Sequence, residues 1–176
     1  ITMRQSALFV MALQTLGTLL LLLLEIGNGF STYLVLISSG LVVFAAPDGD
    51  NLACVDLVQG KLQWQEDRDD GLYLAGVAND RVIIVGPSRV SARFLRDGKL
   101  AWNYDWNEAE EKLSDVSFGA QPSGRGIVVG TDFYLPLADG SLHVIRLSDG
   151  KRTARLSVWP GQPALGNLVK AGRWLL

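Results

Sequence analysis

The sequence predicts an all-β fold: about three four-stranded antiparallel sheets plus the start of a fourth, preceded by an N-terminal hydrophobic helix. Three observations lead there. A turn built on Gly-Lys recurs at Gly60-Lys61, Gly98-Lys99 and Gly150-Lys151. Short strand-like apolar runs stand before each of these turns. Beyond residue 30 no sustained helical periodicity competes with them.

The N-terminal element comes first in the chain. Of the 176 residues, 48% are hydrophobic, and the mean hydropathy of +0.21 is high for a soluble domain. Much of that apolar content sits in Ala7–Leu24, which carries no charge and ends in a run of leucines. A helix that spans a bilayer needs roughly 20 apolar residues, whereas the apolar part of a signal peptide runs to about 7–15. Arg4 precedes the run, and the first charges after it are the acids Glu25, Asp48 and Asp50. That asymmetry places the N-terminus in the cytoplasm and the remainder outside. Residues 1–30 therefore read as a hydrophobic membrane anchor or signal segment, the anchor favoured because no small-x-small cleavage site follows closely, and residues 31–176 read as the repeat domain. A net charge of −2 supplies no basic surface for nucleic acid, whose binding rests on phosphate neutralisation. One cysteine excludes an intrachain disulfide framework.

The repeat follows. The marker glycines Gly60, Gly98 and Gly150 are spaced by 38 and 52 residues, and the first two open the pattern Gly-Lys-Leu-x-Trp. Before each lies one strand ("NLACVDL", "RVSARFL", "SLHVIRL"), and before that another ("LVVFAAP", "RVIIVGP", "DFYLPLA"). Asp97-Gly98 and Asp149-Gly150 suit turns with positive φ, and Asp139-Gly140 marks an earlier hairpin in the third unit. Antiparallel sheets repeating every forty to fifty residues are the signature of β-propeller blades. Asn107–Leu113, "NEAEEKL", fits one or two helical turns inserted between the second and third units.

The stretch "VVFAAPDGDNLACVDLVQGKLQW" resembles the quinoprotein-type, PQQ-like β-propeller repeat. Leu52, Cys54, Val55, Asp56, Gly60, Lys61 and Trp64 fill the family motif in the first unit. Val90, Ala92, Gly98, Lys99 and Trp102 fill it in the second, and Leu142, His143, Val144, Ile145, Gly150 and Lys151 in the third. Phe94 and Arg146 replace the motif aspartate, and Ala154 stands where the third tryptophan is expected. The resemblance implies that each tryptophan wedges between neighbouring blades, its indole N–H bonded to backbone. The residues singled out are therefore structural: Asp56, Gly60, Lys61, Trp64, Gly98, Lys99, Trp102, Gly150 and Lys151.

Chemistry is harder to find. His143 is the single histidine and has no visible partner for a metal site or a triad. Glu66–Gly71, "EDRDDG", misses the spacing of a calcium loop. "GRGIVVG", Gly124–Gly130, is a turn entering a strand and not a dinucleotide fingerprint. Trp102, Tyr104 and Trp106 alternate as one face of a strand packing into a core does. The resembled family holds both non-enzymatic scaffolds, among them outer-membrane assembly factors, and dehydrogenases that carry pyrroloquinoline quinone with calcium. With one cysteine and no assignable acid cluster, the expectation is a membrane-anchored extracytoplasmic scaffold for protein–protein interaction, in envelope assembly or sensing, with no catalytic, cofactor or metal residue. The alternative is part of a quinoprotein dehydrogenase. "GRWLL" reads as a strand opening a fourth blade, and further blades are expected beyond this chain.

Overall fold

The computed structural model describes residues 34–45, 50–106, 121–157, 165–172 and 174–175. The anchor segment and the helical turns expected at Asn107–Leu113 lie outside these residues. Among the described residues, no helix is long and apolar enough to cross a membrane.

The described chain is built of antiparallel strands. The first sheet runs in the order β1 (Leu34–Ser38), β2 (Leu41–Ala45), β3 (Asn51–Asp56) and β4 (Leu62–Asp67). The second holds β5 (Tyr73–Ala78), β6 (Arg81–Val85), β7 (Arg89–Phe94) and β8 (Leu100–Asp105) in the same order. The third pairs β9 (Ile127–Val129), β10 (Asp132–Pro136), β11 (Ser141–Arg146) and β12 (Arg152–Ser157), again each with its successor. A two-stranded hairpin follows, β13 (Lys170–Ala171) with β14 (Trp174–Leu175), where the fourth unit was expected to begin.

The apolar runs found in the sequence are the two middle strands of each sheet. Leu52–Val55 on β3 and Ser141–Ile145 on β11 are buried residue after residue, as in strands covered on both faces. Fourth strands alternate instead: β4 buries Trp64 between exposed Gln63 and Gln65, and β8 buries Trp102 and Tyr104 around exposed Asn103. The first strands, β1, β5 and β9, are the ones that the sequence reading did not name.

Each sheet repeats one irregularity. Between the third and fourth strands the register slips by one residue, at Cys54/Val55, Ala92/Arg93 and Val144/Ile145. Cys54 faces Trp64 while Val55 faces Leu62, which leaves Gln63 as the bulged residue. Ala101 and Thr153 take the same place in the other two sheets. Such a bulge re-aims the side chains that follow it, here the motif tryptophan.

The chain divides into two compact units, one of Ile1–Asp69 with Arg96–Gly98, the other of Asp70–Leu95 with Lys99–Leu176. In the first, Val43, Leu52 and Cys54 are fully buried. In the second, Ile83, Val85, Val90, Trp102, Tyr104, Trp106, Phe133, Leu135, Ile145 and Leu147 form one apolar cluster. The alternating aromatics Trp102, Tyr104 and Trp106 are therefore core, as their spacing suggested.

Candidate functional site

The three marker turns are alike at backbone level. Gly60, Gly98 and Gly150 adopt φ of 64, 72 and 71°, the left-handed region that glycine enters without steric cost. In each, the residue at the motif-aspartate position donates its N–H to the carbonyl of the motif lysine: Asp56 to Lys61 at 2.9 Å, Phe94 to Lys99 at 2.8 Å, Arg146 to Lys151 at 2.9 Å. The lysine contributes through its backbone, and its side chain is exposed in all three turns. The next residue along is a leucine every time. Leu57, Leu95 and Leu147 donate to the carbonyls of Gly40, Asp80 and Thr131 at 2.8, 2.8 and 2.9 Å, tying each turn to the hairpin between the first two strands of its sheet. This leucine, three residues before the glycine, was legible as a repeat and was missed.

The aspartate varies because its task can be met twice over. Asp56 Oδ1 accepts from the N–H groups of Val58 (2.9 Å) and Gln59 (2.7 Å), closing the first turn. Where Arg146 replaces it, Asp149 supplies the carboxylate, accepting from Lys151 N at 3.2 Å and pairing with Arg146 Nη1 at 3.3 Å. Both placements hold the same loop.

Glycine is required at the second and third turns for a further reason. A Cβ on Gly98 would lie 2.7 Å from Trp64 Cε3, and one on Gly150 would lie 2.5 Å from Trp102 Cε3. Each indole thus lies flat on the glycine of a turn that comes later in the chain. Trp102 also donates Nε1–H to the Leu147 carbonyl at 2.9 Å, the backbone bond expected of the motif. The structure so joins Trp64 with Gly98 and Trp102 with Gly150. Gly60, by contrast, is exposed. Ala154, paired with Val144 at the equivalent register position, brings no ring.

The remaining candidates are drawn into packing. His143 is fully buried, with Nδ1 at 3.1 Å from the Tyr104 hydroxyl. Burial first, then the positive charges of Arg152 and Arg155, push its pKa down to about 4, so the ring is neutral near pH 7. Cys54 is fully buried as well, and burial, with the nearby Asp56 charge adding to it, pushes its thiol up to about 11. Such a thiol is a small hydrophobe, not a nucleophile. The Gly124–Gly130 stretch does lead into a strand, β9, and its start is held by Tyr73, whose hydroxyl accepts from Gly126 N at 3.0 Å. Among the described residues, no three His, Cys, Asp or Glu side chains gather as a metal site would require.

Comparison with known proteins sets this arrangement in a family. The family model described as outer membrane protein assembly factor BamB matches residues 23–171. The chain belongs to this PQQ-like repeat family. Among solved structures, it is similar to BamB from Moraxella catarrhalis, with a TM-score of 0.62 and 16% identity, over 84% of this chain and 44% of that one. The computationally designed protein Ika4 matches at a TM-score of 0.57 and 15% identity, over 89% of this chain and 91% of its own. The quinohemoprotein alcohol dehydrogenase of Comamonas testosteroni matches at 0.51 and 14%, over 74% of this chain and 22% of its own. At these identities the likeness is one of fold. The chain spans less than half the length of the Moraxella protein. No curated protein sequence matches it.

Proposed function

We propose that the chain is an extracytoplasmic β-propeller scaffold that acts through protein–protein contacts, without a resident cofactor, and that residues 7–24 anchor it to a membrane. The observation that carries this reading is the repeated indole-on-glycine contact, in a chain whose family model is described as an outer-membrane protein assembly factor. Trp64 with Gly98 and Trp102 with Gly150 are taken up by these contacts, and His143 and Cys54 are buried. The partners that fit are envelope proteins, with outer-membrane proteins or their assembly apparatus first among them.

The second reading is a quinone-dependent dehydrogenase, favoured by the likeness to the Comamonas enzyme. Three observations on the described residues favour the scaffold over it. The sole cysteine is buried in the first sheet, the sole histidine is bonded to Tyr104, and among the described residues no three His, Cys, Asp or Glu side chains gather.

Deleting the gene in the native host and measuring folded outer-membrane proteins separates the readings. A fall that the wild-type chain restores is expected. Unchanged outer-membrane proteins, together with saturable binding of pyrroloquinoline quinone and calcium and dye reduction by alcohols, would overturn the proposal. Carbonate extraction tests the anchor, and full-length chain recovered in the soluble fraction would refute it.

A further inference from the structure

At the position of the motif aspartate the three sheets differ. Asp56 closes its own turn by accepting from Val58 and Gln59, and Arg146 pairs with Asp149 within its turn. In the second sheet the residue is Phe94, whose side chain has no polar atom to offer a turn and which is 39% exposed. Its ladder partner on β6 is Arg81, where the other two sheets have Leu41 and Asp132. The Arg81 guanidinium lies 5.3 Å from the centre of the Phe94 ring, and its Nη1 donates to the Asn79 carbonyl at 2.9 Å. The backbone beneath is fixed as well: Phe94 N donates to the Lys99 carbonyl and Leu95 N to the Asp80 carbonyl, both at 2.8 Å. Next to Lys99, Leu100 opens β8 and is 56% exposed.

We propose that this end of the second sheet, residues 79–81, 93–94 and 99–100, is a docking patch for another protein, and that the segment it takes is acidic with an apolar side chain at its centre. The patch carries three cations, Arg81, Arg93 and Lys99, against one acid, Asp80, in a chain whose net charge is −2. A surface of that sign favours a partner of the opposite sign. Aromatic and arginine side chains are also the ones that carry most of the binding energy at protein interfaces. Here the ring and the guanidinium are stacked before any partner arrives, so less conformational freedom is lost on docking. The ring meets the apolar side chain and the guanidinium meets a carboxylate, and the cation–π pair strengthens as water is removed.

This inference rests on the scaffold reading and narrows its partner, and its test can fail separately. The probe is a fluorescein-labelled peptide, Gly-Asp-Glu-Leu-Glu-Asp-Gly, added to the full chain in detergent and followed by anisotropy. Saturable binding that weakens with added salt is expected. Phe94→Ser and Arg81→Gln should each weaken it about tenfold or more. Phe94→Tyr, which keeps the ring, should bind as the wild type does. So should Leu156→Ser, which removes a comparably exposed side chain from the third sheet. Urea midpoints of Phe94→Ser and Phe94→Tyr should match, so that a loss of binding is not a loss of fold. The same peptide with lysine in place of its acids, or with glycine in place of its leucine, should not bind. No binding at all, equal binding of either control peptide, or binding indifferent to Phe94→Ser would overturn the patch. So would Phe94-dependent binding to phosphatidylglycerol vesicles without binding to the peptide, which would make the patch a lipid contact. In each of those cases, restoration of outer-membrane proteins by the wild-type chain in the deletion host leaves the scaffold reading standing.

Discussion

Truncating Trp102 to alanine tests the contact that organises the second unit. The side chain is 8% exposed, its ring lies on Gly150, and its N–H is bonded to the Leu147 carbonyl. Removing a buried ring of this size costs about 3–5 kcal/mol, of which the hydrogen bond accounts for about 1 kcal/mol. Against a domain stability of about 5–15 kcal/mol, that is a large share. Trp102→Phe keeps most of the ring and loses the donor, so it should fall well short of the alanine variant. The decisive comparison is with Gly150→Ala. That change carries a conformational cost of about 1–2 kcal/mol, because φ of 71° is left-handed. It adds an overlap with Trp102 Cε3, which typically costs about 1–3 kcal/mol. In a Trp102→Ala background the overlap disappears and only the conformational cost remains. Urea unfolding followed by circular dichroism, which does not depend on the deleted indole, should give a double-mutant cycle non-additive by at least about 1 kcal/mol. Additivity within about 0.5 kcal/mol, or a Trp102→Ala cost below about 1 kcal/mol, would refute the docking argument.

Acid should weaken the second unit through His143. Its folded pKa of about 4 lies below the unfolded value of 6.5, so the unfolded chain takes up a proton first and stability falls as pH drops from 6.5 toward 4. The loss reaches about 3 kcal/mol. His143→Gln should flatten that limb in urea midpoints taken from pH 7 to 4.5, and parallel curves for the two proteins would contradict the assignment. In the first unit, Asp56→Ala removes the acceptor of two exposed backbone N–H groups and should cost about 1 kcal/mol. Asp56→Asn, which retains an acceptor oxygen, should recover most of that stability, and equal melting points for the two variants would count against the turn-closing role.

The sequence exposed the middle strands because burial on both faces writes itself as an unbroken apolar run, as in Leu52–Val55 and Val82–Val85. It exposed two of the fourth strands, β4 and β8, through their tryptophans. One first strand, β5, stayed hidden for a physical reason. β5 reads "YLAGVA" and is half-buried over most of its length, so it carries neither a continuous run nor a clean alternation. Its hairpin was nonetheless announced by Asn79-Asp80, two residues that tolerate left-handed geometry and adopt φ of 51 and 57°. The candidate site was half legible. Glycine, lysine and tryptophan spacing identified what meets the neighbouring turn, but exposure alone distinguishes Gly60 from Gly98 and Gly150.

The bulge was not legible, and it explains why the spacing works. Gln63, Ala101 and Thr153 share no chemistry, since the position asks only for a residue that can stand out of the ladder. Its effect is on parity. In a regular ladder, Val55 opposite Leu62 would place Cys54 opposite Gln63, and Trp64 would project from the other face of β4. With Gln63 bulged, Trp64 takes the place opposite Cys54 and the ring reaches Gly98. Thr153 shows that the bulge does not depend on the ring it serves. Its hydroxyl donates to the Val144 carbonyl at 3.2 Å, and the slip persists with Ala154 in place of tryptophan. The docking strand is therefore shaped by its own hairpin, from Gly-Lys turn to bulge, before any indole is seated. The third sheet thus lacks the tryptophan and keeps its bulge and its four-strand order.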